Sequence, residues 1–268
     1  IFLNRYIPES PRFLANAGLK REARAVLAKF NGKVTNDGSD ELAEEEMKPD
    51  AVGLRQLISG PYSKITLGLI GAGCAWGLVN FGFLLWLPTN LRTMGMSAEA
   101  ANSLLAHAGL LALPGIATVI WLYCRWSSIK TLVLFIALTA ASLGLFFALG
   151  ILKMNSPLAI TVATALLLIS ASGVIAMLIP YAAEIYPVHM RGTGAGLVAA
   201  SSKFGGILGA GCGVLGVFND LALSASFIAL PLIIFALLLL KNGIDTRGRR
   251  LEDIHAAVVH KSGIQTNV

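Results

Sequence analysis

Charged side chains are scarce in this sequence, and they are unevenly placed. Asp, Glu, Lys and Arg make up 13% of the 268 residues, whereas soluble domains carry about 25%. Residues 1–64 hold 19 of the 36 charged residues and residues 241–268 hold 8, which leaves only 9 for the 176 residues between them. Because 55% of the chain is hydrophobic, water cannot be the solvent of this middle block. The composition excludes an ordinary soluble domain and indicates an all-α membrane protein with several spans.

The sequence also lacks the patterns of catalysis and of cofactor binding. The four histidines form no metal-ligand set, and no phosphate-binding loop is present. The three cysteines have no metal-ligand spacing and lie in or beside apolar stretches, which predicts reduced thiols. The net charge of +6 arises mainly at the two ends, where membrane topology explains it without nucleic acid. We expect no enzyme, no metal, no cofactor and no ATP-driven pump.

Six apolar segments follow one another in the middle block. Each has about 20 to 26 residues, enough to cross a hydrocarbon layer of about 30 Å; they cover roughly residues 65–90, 102–124, 131–152, 158–183, 193–217 and 221–240. An even number of crossings places both ends on one side. If that side is cytoplasmic, the inner segments carry 18 Lys and Arg and the outer loops carry 2, which fits the positive-inside rule. We expect a multi-pass protein of the plasma (inner) membrane with both ends in the cytoplasm.

These segments divide the chain into three parts. Residues 1–64 are predicted to be a cytoplasmic loop with amphipathic helices, residues 65–240 the six-helix bundle, and residues 241–268 a cytoplasmic tail. A short acidic helix is expected at 40–47, and an earlier helix has apolar residues at helical spacing: Leu19, Ala23, Val26, Leu27 and Phe30. Within the bundle, the first three helices span 88 residues and the last three span 83. Two units of three crossings must have opposite orientations, which is the geometry of an inverted repeat in a transporter half.

Three motifs carry a resemblance to a known family. They are Pro8-Glu9-Ser10-Pro11-Arg12, then Glu184-Ile185-Tyr186-Pro187 with Arg191-Gly192, then Asp245-Thr246-Arg247-Gly248-Arg249 with Leu251-Glu252-Asp253-Ile254. In them the sequence resembles the C-terminal half of the major facilitator superfamily, in its sugar-porter and organic-ion branches. The resemblance implies that the six helices are helices seven to twelve of a twelve-helix transporter, as a 3+3 inverted repeat. It also implies a small-molecule substrate, a surrounding lipid bilayer, a missing N-terminal six-helix half, no nucleic-acid partner and a monomer at full length.

Departures from the sugar-porter pattern bear on the substrate. The first segment has no Gln-Gln pair at Gly73–Asn80, and the fourth has no Gly-Pro-x-x-Trp motif at Gly173–Met177. The stretch Tyr181–Pro187 is more similar to organic-ion and aromatic-acid carriers, while the loop Cys124–Ser128 lacks the acid and the glycine of the family motif. The resemblance thus implies a secondary active transporter of a small organic anion or carboxylate, with proton coupling as an option. The alternatives are a sugar or organic-cation transporter, or a non-transporting membrane sensor.

Lys203 is the residue that points to an anionic substrate. It lies 12 residues after Arg191, about 18 Å along a helix and therefore near the middle of the bilayer. A cation at this depth costs about 2.5–3.5 kcal/mol, and no Asp or Glu lies within the six segments. We predict that Lys203 faces a central cavity and attracts an organic acid. An ion pair with the missing half and a snorkelling side chain are the alternatives.

Other cavity candidates lie on the first and fourth segments. Trp76, Asn80 and Phe83 are spaced by four and three residues and so share an α-helical face, and Tyr181 is a further candidate. Packing between helices is the alternative for each of them. His107 is the one histidine within the segments, and because histidine is the common proton carrier among side chains, it is a candidate proton site or else a packing histidine. Glycines at every fourth residue of the fifth segment predict a close approach to another helix: Gly205, Gly209 and Gly213.

Charged residues at the cytoplasmic face resemble the network that closes the inner gate of the superfamily. They are Glu9, Arg12, Arg125, Glu184, Arg191 and Arg247. Partly exposed ion pairs contribute about 1 kcal/mol or less each, which suits contacts that break between conformations. Topology and surface solvation are the alternative explanation.

Overall fold

The structure is a computed structural model, and it describes residues 9–11, 14, 18–29, 57–93, 95–153 and 156–262. The chain divides into two compact units, Ile1–Val52 and Gly53–Val268. In the first unit, helix α1 spans Lys20–Lys29, and its Ala23 and Val26 are buried together with Leu14. A helix lies where one was expected, but Leu19 and Leu27 of the expected apolar face are exposed. The expected helix at 40–47 and Phe30 lie outside the described residues.

Among its described residues, the second unit contains six helices that are long and apolar enough to cross a membrane, as predicted. They are α2 (Ser63–Thr93), α3 (Ala98–Arg125), α4 (Ser128–Ile151), α5 (Pro157–Ile185), α6 (Val188–Val214) and α7 (Leu221–Asn242). A shorter helix, α8 (Leu251–Ser262), follows them. Within the described residues no strand is present.

Side-chain caps explain several helix starts. The hydroxyls of Ser97 and Ser127 and the carboxylate of Asp220 accept hydrogen bonds from the backbone N–H groups three residues later, at the starts of α3, α4 and α7. Most of the helices extend two to four residues beyond the predicted segments at one end or both, because caps lie outside the apolar stretch. The fifth segment was expected to reach residue 217, but α6 ends at Val214, just before Gly216 with its positive φ of 77°.

The packing of the six helices follows a pseudo-two-fold pattern. Helix α2 packs on α6 and α7, while α5, its counterpart in the second triplet, packs on α3 and α4. The two third helices, α4 and α7, pack on each other. Every such pairing in one triplet has its equivalent in the other, so the expected 3+3 inverted repeat is present in the packing as well as in the lengths.

Helix α2 contains a π-helical stretch at Leu78–Leu84, which sequence periodicity did not predict. A π-helix has a wider turn than an α-helix, and it shifts the face on which later residues lie. The side-chain amide of Asn80 donates to the carbonyl of Trp76 at 3.3 Å within this stretch.

Glycines bring α2 and α6 into backbone contact. A Cβ at Gly77 would overlap the carbonyl oxygen of Ser202, and a Cβ at Gly209 would lie 2.8 Å from the backbone nitrogen of Gly82. A Cβ at Gly205 would overlap the carbonyl oxygen of Cys74. The close approach predicted from the glycine spacing in this helix is confirmed, because no larger residue fits between the two backbones.

Helix α8 is attached to the end of the bundle by its apolar face and by polar contacts. Ile254 and Val258 are buried in the main core. The ring nitrogen Nδ1 of His255 is hydrogen-bonded to the hydroxyl of Tyr62 at 2.6 Å. The ammonium of Lys261 donates a hydrogen bond to the carbonyl of Gly243 at 2.9 Å. These contacts place the tail helix beside the start of α2.

Candidate functional site

Lys203 lies in the middle of α6. At about 1.5 Å per residue it is about 20 Å from Met190 and about 16 Å from Val214, the two ends of this span. Its side chain is exposed. The ammonium nitrogen lies 5.7 Å from the centroid of the Phe81 ring, within the range of a cation–π contact. An exposed cation at mid-span, beside an aromatic ring, is the most distinctive chemical feature of the described part of the bundle.

Two aromatic rings of α2 stand beside this cation. Trp76 and Phe81 contact each other edge to face, with ring centroids 6.3 Å apart and an interplanar angle of 87°. The indole N–H of Trp76 donates to the backbone carbonyl of Ala171 on α5 at 2.7 Å, which fixes the ring in place. Trp76 is half-buried and Phe81 is 38% exposed, so both border the surface on which Lys203 lies.

Sequence reasoning missed Phe81. It assumed α-helical spacing after Trp76 and therefore chose Asn80 and Phe83. The π-helical stretch instead places the fifth residue after Trp76 beside it. Asn80 is half-buried, and its side-chain amide donates a hydrogen bond to the backbone carbonyl of Trp76 on the same helix.

The structure leaves Phe83 and Tyr181 out of this exposed group. Phe83 is 1% exposed and packs on Phe146 with ring centroids 5.0 Å apart. Tyr181 is fully buried, and its hydroxyl both donates to the carbonyl of Ile244 at 2.8 Å and accepts from the Ile244 N–H at 3.0 Å. Both side chains are used for packing within the bundle.

A hydrogen-bonded cluster occupies the end of the bundle where α3, α4 and α5 meet the segment after α7. The carboxylate of Glu184 accepts hydrogen bonds from the hydroxyls of Tyr123, at 2.9 Å, and Thr246. Thr246 also contacts the hydroxyl of Ser128 at 2.8 Å. Glu184, expected in a network of charged pairs, is thus held by hydroxyl groups in this structure.

Asp245 and Arg247 extend the same cluster. The carboxylate of Asp245 accepts from the hydroxyl and the backbone N–H of Ser128, at 2.9 Å and 3.0 Å. Burial opposes ionisation of Asp245, but the hydrogen bonds from Ser128 outweigh it and hold the pKa of this carboxyl below its usual range. The guanidinium of Arg247 donates to the carbonyls of Arg125 and Trp126, the latter at 3.0 Å. Segment 244–247 therefore ties the last turn of α3 to the start of α4.

The remaining predicted residues are spread over the molecule. The Nε atom of Arg191 is buried and has no hydrogen-bond partner among the described residues. His107 is exposed on α3. Glu9 is exposed in the first unit, which is described by itself, and Arg12 lies outside the described residues. Of the six gate candidates, Glu184 and Arg247 contribute side chains to one cluster, and Arg125 contributes its backbone carbonyl.

Comparisons with known proteins agree with this architecture. The family model described as "Sugar (and other) transporter" matches residues 1–258. A gallate transporter of Pseudomonas putida is 30% identical over 240 residues, which cover 88% of this chain and 52% of that protein. The 4-hydroxybenzoate transporter PcaK of the same organism is 30% identical over 218 residues, which cover 78% of this chain and 46% of that protein.

The fold is also that of a solved transporter. The proton:xylose symporter XylE, of the major facilitator superfamily, matches with a TM-score of 0.66 at 18% identity over 96% of this chain and 55% of that chain. The present chain thus spans about half the length of the relatives that it matches. Its six spans and the match of the family model over nearly its whole length lead to one conclusion: the chain belongs to the sugar (and other) transporter family.

Proposed function

We propose that this chain forms one half of a secondary active transporter that carries a small organic anion across the membrane by alternating access. A second six-helix unit would complete a central site in front of Lys203. The observation that carries the proposal is the exposed ammonium of Lys203 at the middle of α6. Transporters of this kind bind their cargo near the midplane, where the two halves meet.

The distribution of charge favours an anion as the cargo. A lysine at mid-depth costs about 2.5–3.5 kcal/mol unless water or an opposite charge is near. Among the described residues of the six spans, the carboxylates lie near helix ends: Glu99 in the first turn of α3 and Glu184 one residue before the end of α5. Glu184 is already bonded to two hydroxyls. A carboxylate brought by the cargo supplies the missing counter-charge, whereas an ion pair with the second unit is the competing arrangement.

Two of the relatives support the same chemical class. Gallate and 4-hydroxybenzoate, named in the descriptions of two relatives at 30% identity, are both aromatic carboxylates. We extend this class to the present chain, with a monocarboxylate as the expected cargo. An uncharged sugar would leave the ammonium without a counter-charge, so the sugar alternative is disfavoured by the same residue.

Topology and gating complete the proposal. The excess of Lys and Arg in the end segments and in the loops on their side favours a topology with both ends of the chain in the cytoplasm. The cluster around Glu184 would then lie at the cytoplasmic end of the bundle. Its contacts are hydrogen bonds worth about 0.5–3 kcal/mol each, a range in which single contacts can break and re-form as a gate opens and closes. Proton coupling through His107 stays a prediction.

Uptake by the full-length transporter tests the proposal. Radiolabelled benzoate and 4-hydroxybenzoate, tetraethylammonium and D-xylose are compared at equal concentrations in cells with and without the protein. We expect saturable uptake of the carboxylates alone. Saturable uptake of the cation or the sugar in their place would overturn the proposal.

A further inference from the structure

Phe81 stands beside Lys203 but has no role in the site as proposed so far. We infer that Phe81 is a positioning residue for the anion site: its ring holds the Lys203 ammonium in one place and so prepares it to receive the negative group of the cargo. The inference rests on the proposed function. It is carried by the 5.7 Å contact between the ammonium nitrogen and the ring centroid.

The π-helical stretch is what brings this ring to the site. In an α-helix, the residues three and four positions after Trp76 would lie on its face. The wider turn of Leu78–Leu84 places Phe81 there instead, in edge-to-face contact with the Trp76 ring. Trp76 is itself anchored to the carbonyl of Ala171. Phe81 therefore packs against a fixed neighbour.

Helix α6 provides the space for the ring. Gly206 lies three residues after Lys203, and a Cβ at Gly206 would come within 2.7 Å of the Phe81 ring atom Cδ2. The ring thus lies directly against the helix backbone, close to the root of the lysine side chain. In this position one face of the ring is presented to the ammonium.

The contact should raise affinity for an anion. The four-carbon side chain of lysine is flexible, and fixing it in one conformation when the cargo binds has an entropic cost. The negative face of the Phe81 ring attracts the ammonium and so holds it in place before the cargo arrives. The ammonium has three N–H donors, so the side turned away from the ring stays available to a carboxylate. Cation–π contacts of this kind correspond to about a two- to five-fold change in affinity at exposed sites.

The test measures benzoate uptake kinetics by variants of the full-length transporter. Phe81→Leu keeps an apolar side chain but removes the ring. We expect its KM to rise about two- to five-fold, with an unchanged maximal rate per transporter. Phe81→Tyr and Phe81→Trp keep a π face and should retain a KM near that of the native protein. Phe147→Leu is the matched control, because Phe147 has the same 38% exposure as Phe81 but lies on α4; it should leave KM unchanged.

A second series keeps the shape of the side chain. Phenylalanine with increasing ring fluorination, incorporated at position 81, weakens the negative face of the ring with little change of size. KM should rise in step with fluorination. A native KM in Phe81→Leu or in the fluorinated series, or a KM that falls, would overturn the inference.

Lys203→Gln separates the two proposals. If native uptake of benzoate survives Lys203→Gln, or if benzoate is not taken up at all, the proposed function fails and the role of Phe81 fails with it. If Lys203→Gln loses uptake while Phe81→Leu keeps the native KM, only the role of Phe81 is refuted.

Discussion

Replacement of Gly205 by alanine should loosen the contact between α2 and α6. The added Cβ would lie 2.7 Å from the carbonyl carbon and 2.8 Å from the Cα of Cys74, whereas carbon atoms prefer about 3.5–4.0 Å. Because the obstacle is backbone, no rotamer change relieves it, and the helices must separate by roughly 1 Å. Such a gap forfeits about a quarter to a half of the dispersion energy of each atom pair. Over a few tens of pairs this loss is about 1–3 kcal/mol, the usual cost of overpacking.

Thermal unfolding of the purified protein in detergent measures this loss. At about 2–4 °C per kcal/mol for a chain of this size, Gly205→Ala should melt about 2–12 °C below the native protein. Gly211→Ala is the control, because a Cβ there meets nothing within 4 Å and alanine is the better helix former. Its melting temperature should be equal or higher. Equal melting of the two variants would refute the close approach of the backbones.

Three further predictions concern the cluster around Glu184 and Asp245, and His107. The pKa of Asp245 is held below its usual range, so its carboxylate stabilises the fold at pH values above that range and loses this effect as the pH falls through the lowered pKa. The difference in melting temperature between the native protein and Asp245→Asn should therefore shrink as the pH is lowered below about 4, the ordinary pKa of an aspartate. A difference that stays constant would contradict this. Arg247→Gln removes the guanidinium that donates to two carbonyls at the end of α3. Exchange of the backbone amide hydrogens in the turn before Ser128 should therefore become faster. An unchanged exchange rate there would show that these hydrogen bonds do not stabilise the turn. If His107 carries the coupled proton, His107→Gln should abolish the stimulation of uptake by an inward proton gradient, and a retained stimulation would remove this residue from the coupling.

The sequence was sufficient for the number, order and approximate limits of the membrane helices. Long apolar runs separated by capped turns are a local signal, and Ser97, Ser127 and Asp220 mark helix starts that the chain itself encodes. The glycines of α6 likewise predicted a close approach to another helix, since small residues at a four-residue spacing let two backbones approach, but they did not identify α2 as that helix.

The site was only partly predictable. The mid-span position of Lys203 can be counted along the helix from the sequence. The position of Phe81 beside Trp76 cannot, because periodicity arguments assume an α-helix and this stretch is π-helical. The partners of Glu184 were missed for a different reason. Tyr123 and Thr246 lie 61 and 62 residues away in sequence, and no local pattern connects uncharged hydroxyls across such a distance.

The proposed role of Lys203 is tested most directly by benzoate uptake in Lys203→Gln. Lys203→Arg and Lys130→Gln serve as controls; Lys130 is another exposed lysine, on the first turn of α4. With equal amounts of each protein in the membrane, uptake should be lost in Lys203→Gln, retained at least in part in Lys203→Arg, and native in Lys130→Gln. Native uptake in Lys203→Gln would contradict an anion site built on this residue.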